Sequence, residues 1–201
     1  MRSWACRPDV RWIALLVLCL TAPSLHAQDG LLGIFFDSSG SNCSGSVGVA
    51  SYAVLYVVLQ PAGSTYAGVT AAEFRVDASG ASGYLVANEH IIAPVSAGGS
   101  ALGSGVTLAF QSCQNGPVAF LSFQVLNTGS GIEDGILRIV ARQRPSNPAF
   151  SCPVAVLCDD PVYTEVCVDA GYALLNPSGS RTCAGGRLPA EWSRVKGLYR
   201  P

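Results

Sequence analysis

The chain has 201 residues, of which 49% are apolar and 12% charged, and its formal net charge is −1. This length supports one hydrophobic core with a small appendage. The weak charge provides no basic field for nucleic acid or an anionic lipid surface, so we expect no nucleic-acid partner.

Residues 1–27 have the three regions of a secretory signal peptide. Three arginines precede the apolar block 13–20, and a small-residue end follows at Ala27. We predict cleavage after Ala27, a secreted or cell-envelope protein (periplasm or outer surface), and no membrane span after cleavage. An uncleaved anchor is the alternative, although the apolar block is short for a spanning helix.

Residues 47–60 predict the central strand of the fold. A first strand at 31–36 and a polar turn at 37–42 precede it. Its sequence, VGVASYAVLYVVLQ, is apolar on both faces and rich in β-branched and aromatic residues. Such a run is typical of a strand that is covered from both sides.

The following segments predict further strands separated by turns. In 70–77 the alternation directs Ala72, Phe74 and Val76 to one face and Glu73, Arg75 and Asp77 to a solvated face. Residues 96–105 form a Gly-rich linker loop without a phosphate-binding pattern. The other predicted strands are 84–92, 105–111, 118–126 and 135–142.

About seven strands without a long amphipathic helix predict an all-β fold, a β-sandwich. The expected division of the chain has a signal peptide, a sandwich, a small Cys-rich β extension with strands at 163–169 and 172–175, and a linker with a short helical tail. These parts are residues 1–27, 28–144, 145–184 and 185–201.

Six cysteines remain after signal cleavage, which predicts three disulfides in an exported chain. Fifteen pairings are possible; we expect Cys43 with Cys113, and sequence-local pairs within the remaining four. Zinc is the rival interpretation, but no C-x₂-C pair occurs and one histidine remains. The six are Cys43, Cys113, Cys152, Cys158, Cys167 and Cys183, with the local pairs expected as Cys152–Cys158 and Cys167–Cys183.

Catalytic signals are weak. The predicted mature chain keeps one histidine, His90, and no nucleophile elbow of the G-x-S-x-G type occurs. The acidic pair Glu133-Asp134 lies between glycines and is better explained as a turn. We therefore predict a non-enzymatic protein without a cofactor or metal, and keep a secreted hydrolase built on His90 as an alternative.

Aromatic residues are the remaining binding candidates. Tyr66, Tyr84, Tyr163 and Tyr172 would stack on sugar rings or on a protein partner if they are exposed, whereas cross-strand packing is the simpler explanation of each. An exposed aromatic strip on one sheet face would indicate a carbohydrate-binding module, the second alternative function.

The phrase GVTAAEFRV at residues 68–76, together with the strand order over 31–142, resembles cohesin-like and related immunoglobulin-like sandwiches of exported bacterial proteins. In those proteins a first strand is followed by a long core strand and then by a strand that opens after a glycine turn. A cohesin docks to a dockerin partner, so the resemblance implies a binding module with a protein or glycan partner at the cell surface. It identifies no contacting residues here.

The end of the chain forms a small apolar face among cations, which predicts one or two helical turns. The sequence WSRVKGLYR at 192–200 resembles the W-x-x-[IV]-K-x-L-Y-[RK] ending of uncharacterised secreted bacterial proteins. This resemblance implies a sorting, attachment or partner-recognition tail. The residues that carry it are Trp192, Val195, Lys196, Leu198 and Tyr199.

Overall fold

The computed structural model describes residues 29–129, 133–159, 161–179 and 183. Two sheets face each other across one core, which confirms the predicted all-β sandwich. The predicted signal peptide and the predicted tail lie outside the described residues. Among the residues described, no helix is long and apolar enough to cross a membrane.

The described part of the chain forms thirteen strands and one short 3₁₀ helix. The strands are β1 (Leu31–Phe35), β2 (Ser44–Gly45), β3 (Tyr52–Gln60), β4 (Val69–Gly80), β5 (Tyr84–Ile91), β6 (Val95–Gly98), β7 (Val106–Gln114), β8 (Val118–Asn127), β9 (Gly135–Val140), β10 (Val154–Leu157), β11 (Glu165–Cys167), β12 (Asp169–Ala170) and β13 (Tyr172–Leu175), and the helix is Gly63–Ala67.

The first sheet has the order β12-β1-β3-β8-β5. Its central strand β3 pairs antiparallel with β1 and β8. The predicted central strand therefore exists, but it begins at Tyr52 rather than at residue 47, because residues 48–51 form a turn closed by a hydrogen bond from Ser51 N to the Gly48 carbonyl.

The second sheet has the order β11-β10-β4-β9-β13-β2, with β7 also paired to β4 and β6 paired to β7. The first half of the long strand β4 pairs with β7 and the second half with β9. Strand β6 extends into the segment that the sequence predicts as a Gly-rich loop, and β10 lies where the sequence predicts no strand. The predicted strand at 163–169 is divided into β11 and β12. The segment 145–184 thus adds strands to both sheets.

The core fills the space between the inner faces of the two sheets. Phe74 of β4 and Phe120 of β8, both fully buried, meet edge to face with ring centroids 6.3 Å apart. This geometry places the positive edge of one ring against the negative face of the other. The contact joins β4 of the second sheet to β8 of the first across the core.

Three disulfides form, as predicted, but the expected pairing was wrong. The bonds are Cys43–Cys183, Cys113–Cys158 and Cys152–Cys167. Only the last is local: Cys152 precedes β10, and Cys167 ends β11, which pairs antiparallel with it. The other two join segments that are distant in sequence and become neighbours through sheet pairing, β7 and β10 both lying beside the start of β4.

The prediction that Glu73 faces solvent was also wrong. Its carboxylate is only 6% exposed and receives hydrogen bonds from Thr107 Oγ1 at 2.7 Å, from Ser146 N at 2.9 Å, and from the Ser146 hydroxyl. Arg142 Nη1 forms an ion pair with it at 3.0 Å. The segment after β9 therefore folds over this face of the second sheet and covers it.

Candidate functional site

The outer face of the first sheet carries the candidate site. Register places Tyr52, Leu126 and Leu85 in one row across β3, β8 and β5, so their side chains point to the same side. The next row consists of Val54, Gln124 and Ala87. The inner positions of the same strands, Leu55 and Phe123 among them, are fully buried in the core.

Exposure changes along this face. Tyr52 at the beginning of β3 is 65% exposed, whereas Val58 near its end is fully buried. Both side chains lie on the same face of the same strand, so the difference arises from what covers each end. The prediction of a strand covered from both sides is therefore correct for the Val58 end and wrong for the Tyr52 end.

The turn between β1 and β2 covers the Val58 end. A Cβ placed on Gly40 would lie 3.1 Å from Val58 Cγ1, and the Gln60 amide donates a hydrogen bond to the Gly40 carbonyl. Val58 also belongs to a second apolar cluster that contains Phe35 and both sulfurs of the Cys43–Cys183 disulfide. Close packing of this turn excludes water from Val58.

The carboxylate of Asp37 organises that turn. It accepts hydrogen bonds from Ser39 N and Ser41 N at 3.0 Å each, from Asn42 N at 2.7 Å, and from both serine hydroxyls. Burial raises the pKa of this carboxyl, but the hydrogen bonds from Ser39, Ser41 and Asn42 outweigh it and lower the pKa to about 2. Asp37 is therefore ionised at any physiological pH and holds in place the turn that covers Val58.

The uncovered end forms a shallow apolar depression, which we name the Tyr52 patch. Its volume is about 150 Å³. Leu85 is 55% exposed beside the tyrosine, so the two side chains form one exposed apolar surface rather than a single exposed residue. The residues that line the patch are Tyr52, Leu85, Ala87, Asn88, Gln124 and Leu126.

A β-bulge in β5 shapes one side of the Tyr52 patch. The register with β8 shifts between Ala87 and His90, and Asn88 adopts a φ of 55°. The Asn88 amide then donates a 2.7 Å hydrogen bond to the Gln124 side-chain oxygen. Bulges typically re-aim a side chain and end regular pairing, and here one places a pair of amides at the rim of an apolar surface.

The same bulge directs Glu89 away from the patch. Its carboxylate accepts hydrogen bonds from the Ser100 hydroxyl at 2.6 Å and from Ala101 N at 3.2 Å. Glu89 thus fixes the glycine-rich loop that precedes β7 rather than contributing charge to the sheet face. None of the six lining residues of the Tyr52 patch is charged.

The tyrosines singled out in the sequence do not form a strip. Tyr66 lies in the 3₁₀ helix and is 71% exposed, and Tyr163 lies in a turn after β10. Tyr84 is half-buried at the start of β5, and Tyr172 is buried on β13. The exposed tyrosine of the candidate site is Tyr52. The sequence predicts that it lies in a strand covered from both sides, and no local sequence signal distinguishes it from Val58.

The residues weighed for catalysis are separated. His90 is exposed on β5 opposite Ser122, and Glu133 is exposed next to the start of β9. Within residues 29–129, 133–159, 161–179 and 183, no group of three or more His, Cys, Asp or Glu side chains is placed to hold a metal ion.

A larger cavity of about 380 Å³ opens at one end of the sandwich. Asn127 and Asn176 donate hydrogen bonds to the Val47 carbonyl at 2.8 and 3.0 Å, and Asn176 Oδ1 accepts one from Val47 N at 2.6 Å. These bonds satisfy the amides locally and tie the turn before β3 to the loop after β13. The polar groups here therefore build the end of the sandwich, and the Tyr52 patch remains the better candidate.

No protein-family model matches the chain, and no curated protein matches it. Several solved structures do, and those retrieved are cohesin modules. The sixth cohesin of scaffoldin B from Acetivibrio cellulolyticus is 12% identical with a TM-score of 0.48, and the match covers 75% of this chain and 100% of that one. The cohesin module of a family 33 glycoside hydrolase from Clostridium perfringens is 9% identical with a TM-score of 0.44, over 75% and 99% of the two chains.

A cohesin from Clostridium thermocellum, solved in complex with a dockerin, is 9% identical with a TM-score of 0.46, and the match covers 78% of this chain and 99% of that one. These are modules of the group that the sequence resemblance named. At TM-scores below 0.5 and identities of 9–12%, no conclusion about the fold, a ligand or a partner of this chain rests on the matches.

Proposed function

We propose that this chain is a secreted or envelope-associated, non-enzymatic binding protein that engages a protein partner through the Tyr52 patch. The observation that carries the proposal is the pair of exposed apolar side chains, Tyr52 and Leu85, on a sheet face whose other end is closed. An exposed apolar surface rimmed by polar groups is typical of an interaction site. Tyrosine is enriched in such sites because its ring is apolar and its hydroxyl is polar.

Two features support the proposed compartment. Three disulfides indicate maturation in an oxidising environment, and residues 1–27 have the pattern of a signal peptide. In this proposal residues 28–144 form the binding sandwich, residues 145–184 complete its two sheets, and residues 185–201 are the tail. The tail would serve sorting or partner recognition through Trp192, Val195, Lys196, Leu198 and Tyr199.

A carbohydrate-binding module is the second candidate. The observation in its favour is the hydrogen-bonded amide pair of Asn88 and Gln124 next to the exposed ring of Tyr52. A sugar can stack on the ring and exchange hydrogen bonds with the amides. The patch nevertheless has one aromatic ring, and its lining side chains other than this ring and the two amides are aliphatic. This composition favours a protein partner.

The test measures retention of the purified, oxidised protein on envelope preparations from the cells that produce it. Wild type is compared with Leu85→Ser and with the matched control Val162→Ser, since Val162 is 73% exposed in a turn far from the patch in sequence. We expect Leu85→Ser to lose retention about tenfold, because burying one leucine is worth about 1.5–3 kcal/mol, and the control to retain it. Equal retention of both variants would refute the proposal.

Pretreatment of the envelopes separates the two kinds of ligand. Loss of retention after protease digestion supports a protein partner, whereas loss only after glycosidase digestion supports the carbohydrate alternative. For the tail, deletion of residues 192–199 should change localisation without changing the circular dichroism or thermal unfolding of the protein. Unchanged localisation would remove the proposed sorting role.

A further inference from the structure

The turn between β7 and β8 contains an asparagine followed by a glycine, Asn115-Gly116, which the proposed function does not use. We propose that this pair is a site of spontaneous covalent modification, at which the Asn115 amide is converted into aspartate and isoaspartate through a cyclic imide. The inference goes beyond the proposed function. The turn adjoins the beginning of β8, whereas Gln124 and Leu126 of the Tyr52 patch lie near the end of that strand.

The reaction consumes water and transfers no electrons to or from another reagent. The main-chain nitrogen of Gly116 gives its proton to the solvent and forms a bond to Cγ of Asn115. The bond from Cγ to the side-chain nitrogen breaks, and that nitrogen takes up a proton and leaves as ammonia. Water then opens the cyclic imide. Cleavage of the new bond at Cγ gives aspartate, whereas cleavage at the main-chain carbonyl gives isoaspartate, in which the chain continues through the side chain.

The glycine distinguishes this asparagine from the others. A residue without a Cβ allows other groups to approach its backbone closely, so the Gly116 nitrogen is open to the neighbouring side chain. Asn147 and Asn176 are each followed by proline, which has no N–H to lose and cannot form the imide by this route. The chain has six asparagines, Asn42, Asn88, Asn115, Asn127, Asn147 and Asn176, and only Asn115 precedes a glycine.

The structure leaves the reacting atoms of this pair accessible. Asn115 is exposed, and Gly116 lies between the two strands rather than within either ladder. In the part of the chain that the structure describes, no hydrogen bond holds the Gly116 N–H or the side-chain nitrogen of Asn115. A Cβ placed on Gly116 would meet no atom within 4 Å. Neither the attacking nitrogen nor the leaving nitrogen is therefore held by the fold.

Two other asparagines are held by the fold and serve as internal comparisons. Asn127 is 2% exposed, and its amide donates a 2.8 Å hydrogen bond to the Val47 carbonyl. The Asn88 amide donates a 2.7 Å hydrogen bond to the Gln124 side-chain oxygen. Each is followed by a residue with a bulky side chain, threonine or glutamate. We therefore expect both to keep their amides while Asn115 reacts.

The modification changes a connection between the two sheets. The β7–β8 turn joins a strand of the second sheet to a strand of the first, and isoaspartate lengthens its main chain by one carbon. The Asn115 side-chain oxygen lies 3.7 Å from the Cys113 sulfur. A Cβ on Gly68 would lie 2.5 Å from the same oxygen. The new carboxylate thus places a negative charge in a crowded position beside the Cys113–Cys158 disulfide, and the modified protein should unfold at a lower temperature.

The test follows the oxidised protein during prolonged incubation at neutral pH, with peptide mapping by mass spectrometry. We expect the mass change from amide to acid at Asn115, with isoaspartate and aspartate as separate products, and no change at Asn127. Gly116→Ala should slow the conversion, and Asn115→Gln should prevent the new acidic species from appearing on native isoelectric focusing. Both variants are first compared with wild type by thermal unfolding; Asn115→Gln keeps the glycine and its backbone conformation.

A synthetic peptide of residues 114–120 gives the rate in the absence of the fold. Because the turn leaves the reacting atoms free, we expect the rate in the folded protein to be within about tenfold of the rate in the peptide, a barrier difference of at most about 1.4 kcal/mol. A slower conversion in the protein would overturn the proposal. Formation of aspartate without isoaspartate would also overturn it, because direct hydrolysis of the side chain would then replace the imide, as would equal conversion at Asn127.

Discussion

Replacement of Glu73 by glutamine tests the buried ion pair of the second sheet. The substitution keeps the size of the side chain but removes its charge, which leaves the Arg142 guanidinium without its partner. Breaking one side of a buried pair costs about 3–5 kcal/mol. Because the Arg142 side chain is still 19% exposed, water compensates part of this loss, and we expect about 3 kcal/mol.

The assay is denaturant unfolding of the oxidised protein at neutral pH. For a domain of this size, a loss of about 3 kcal/mol corresponds to a fall in Tm of roughly 6–12 °C. The matched control is Asp77→Asn, two residues along the same strand. Asp77 is more exposed, and its hydrogen bonds come from Ser79 two residues along the same strand, so its loss should stay below about 1 kcal/mol.

The pH dependence has a defined direction. Burial raises the pKa of Glu73, but hydrogen bonds from Ser146 and Thr107 and the contact with Arg142 outweigh it, so the folded-state pKa lies below the unfolded value of 4.5. This contribution to the free energy of unfolding is present above pH 4.5 and is lost as pH falls through the folded-state pKa. Glu73→Gln should therefore flatten the acid limb of the stability curve. If Glu73→Gln costs no more than Asp77→Asn, or if the acid limb is unchanged, the ion pair does not stabilise the fold as argued.

Three further predictions concern the turn held by Asp37, the Cys43–Cys183 disulfide and the glycine that lies against the Cys113 sulfur. NMR titration should place the pKa of Asp37 at about 2, and a value near 3.8 would contradict its role in the turn. Replacing Cys43 and Cys183 together by alanine should cost about 4–5 kcal/mol in the chain-entropy model, measured by denaturant unfolding against wild type; a loss under about 1 kcal/mol would show that packing alone holds this end. Gly68→Ala should cost more than about 2 kcal/mol, because its φ is +102° and the new Cβ would lie 2.3 Å from a disulfide sulfur. Gly116→Ala, with φ +89° and open space around it, should cost about 1 kcal/mol, and equal losses for the two glycines would contradict the steric argument.

The alternation and turn signals of the sequence predicted the sandwich and its inner faces because they are local properties. The disulfide pairing could not be predicted in the same way. Cys113 and Cys158 meet because β7 and β10 both pair with β4, and that neighbourhood is decided by the order of strands in the sheet. Sequence proximity therefore identified none of the three bonds.

The two wrong predictions of exposure, for Glu73 and Tyr52, have the same cause: the exposure of each residue depends on segments that are distant in sequence. Glu73 alternates like a solvent-facing residue, and only the path of the chain after β9 covers it. Tyr52 and Val58 share one strand face, and Val58 is buried because the turn held by Asp37 and the apolar cluster around the Cys43–Cys183 disulfide cover it, whereas Tyr52 is exposed. The sequence thus predicts the sheet that carries the candidate site. It does not predict which end of that sheet face the turn between β1 and β2 covers, and so it does not locate the Tyr52 patch.

The Cys43–Cys183 bond closes a covalent ring around almost the whole sandwich, since its cysteines are 140 residues apart. A protease that cuts one exposed loop inside this ring opens the chain without releasing a fragment. Both pieces remain joined through sulfur, and the strands on either side of the cut keep their partners at intramolecular concentration. The nicked protein should migrate as one species until it is reduced, so that a single cleavage event leaves the Tyr52 patch assembled.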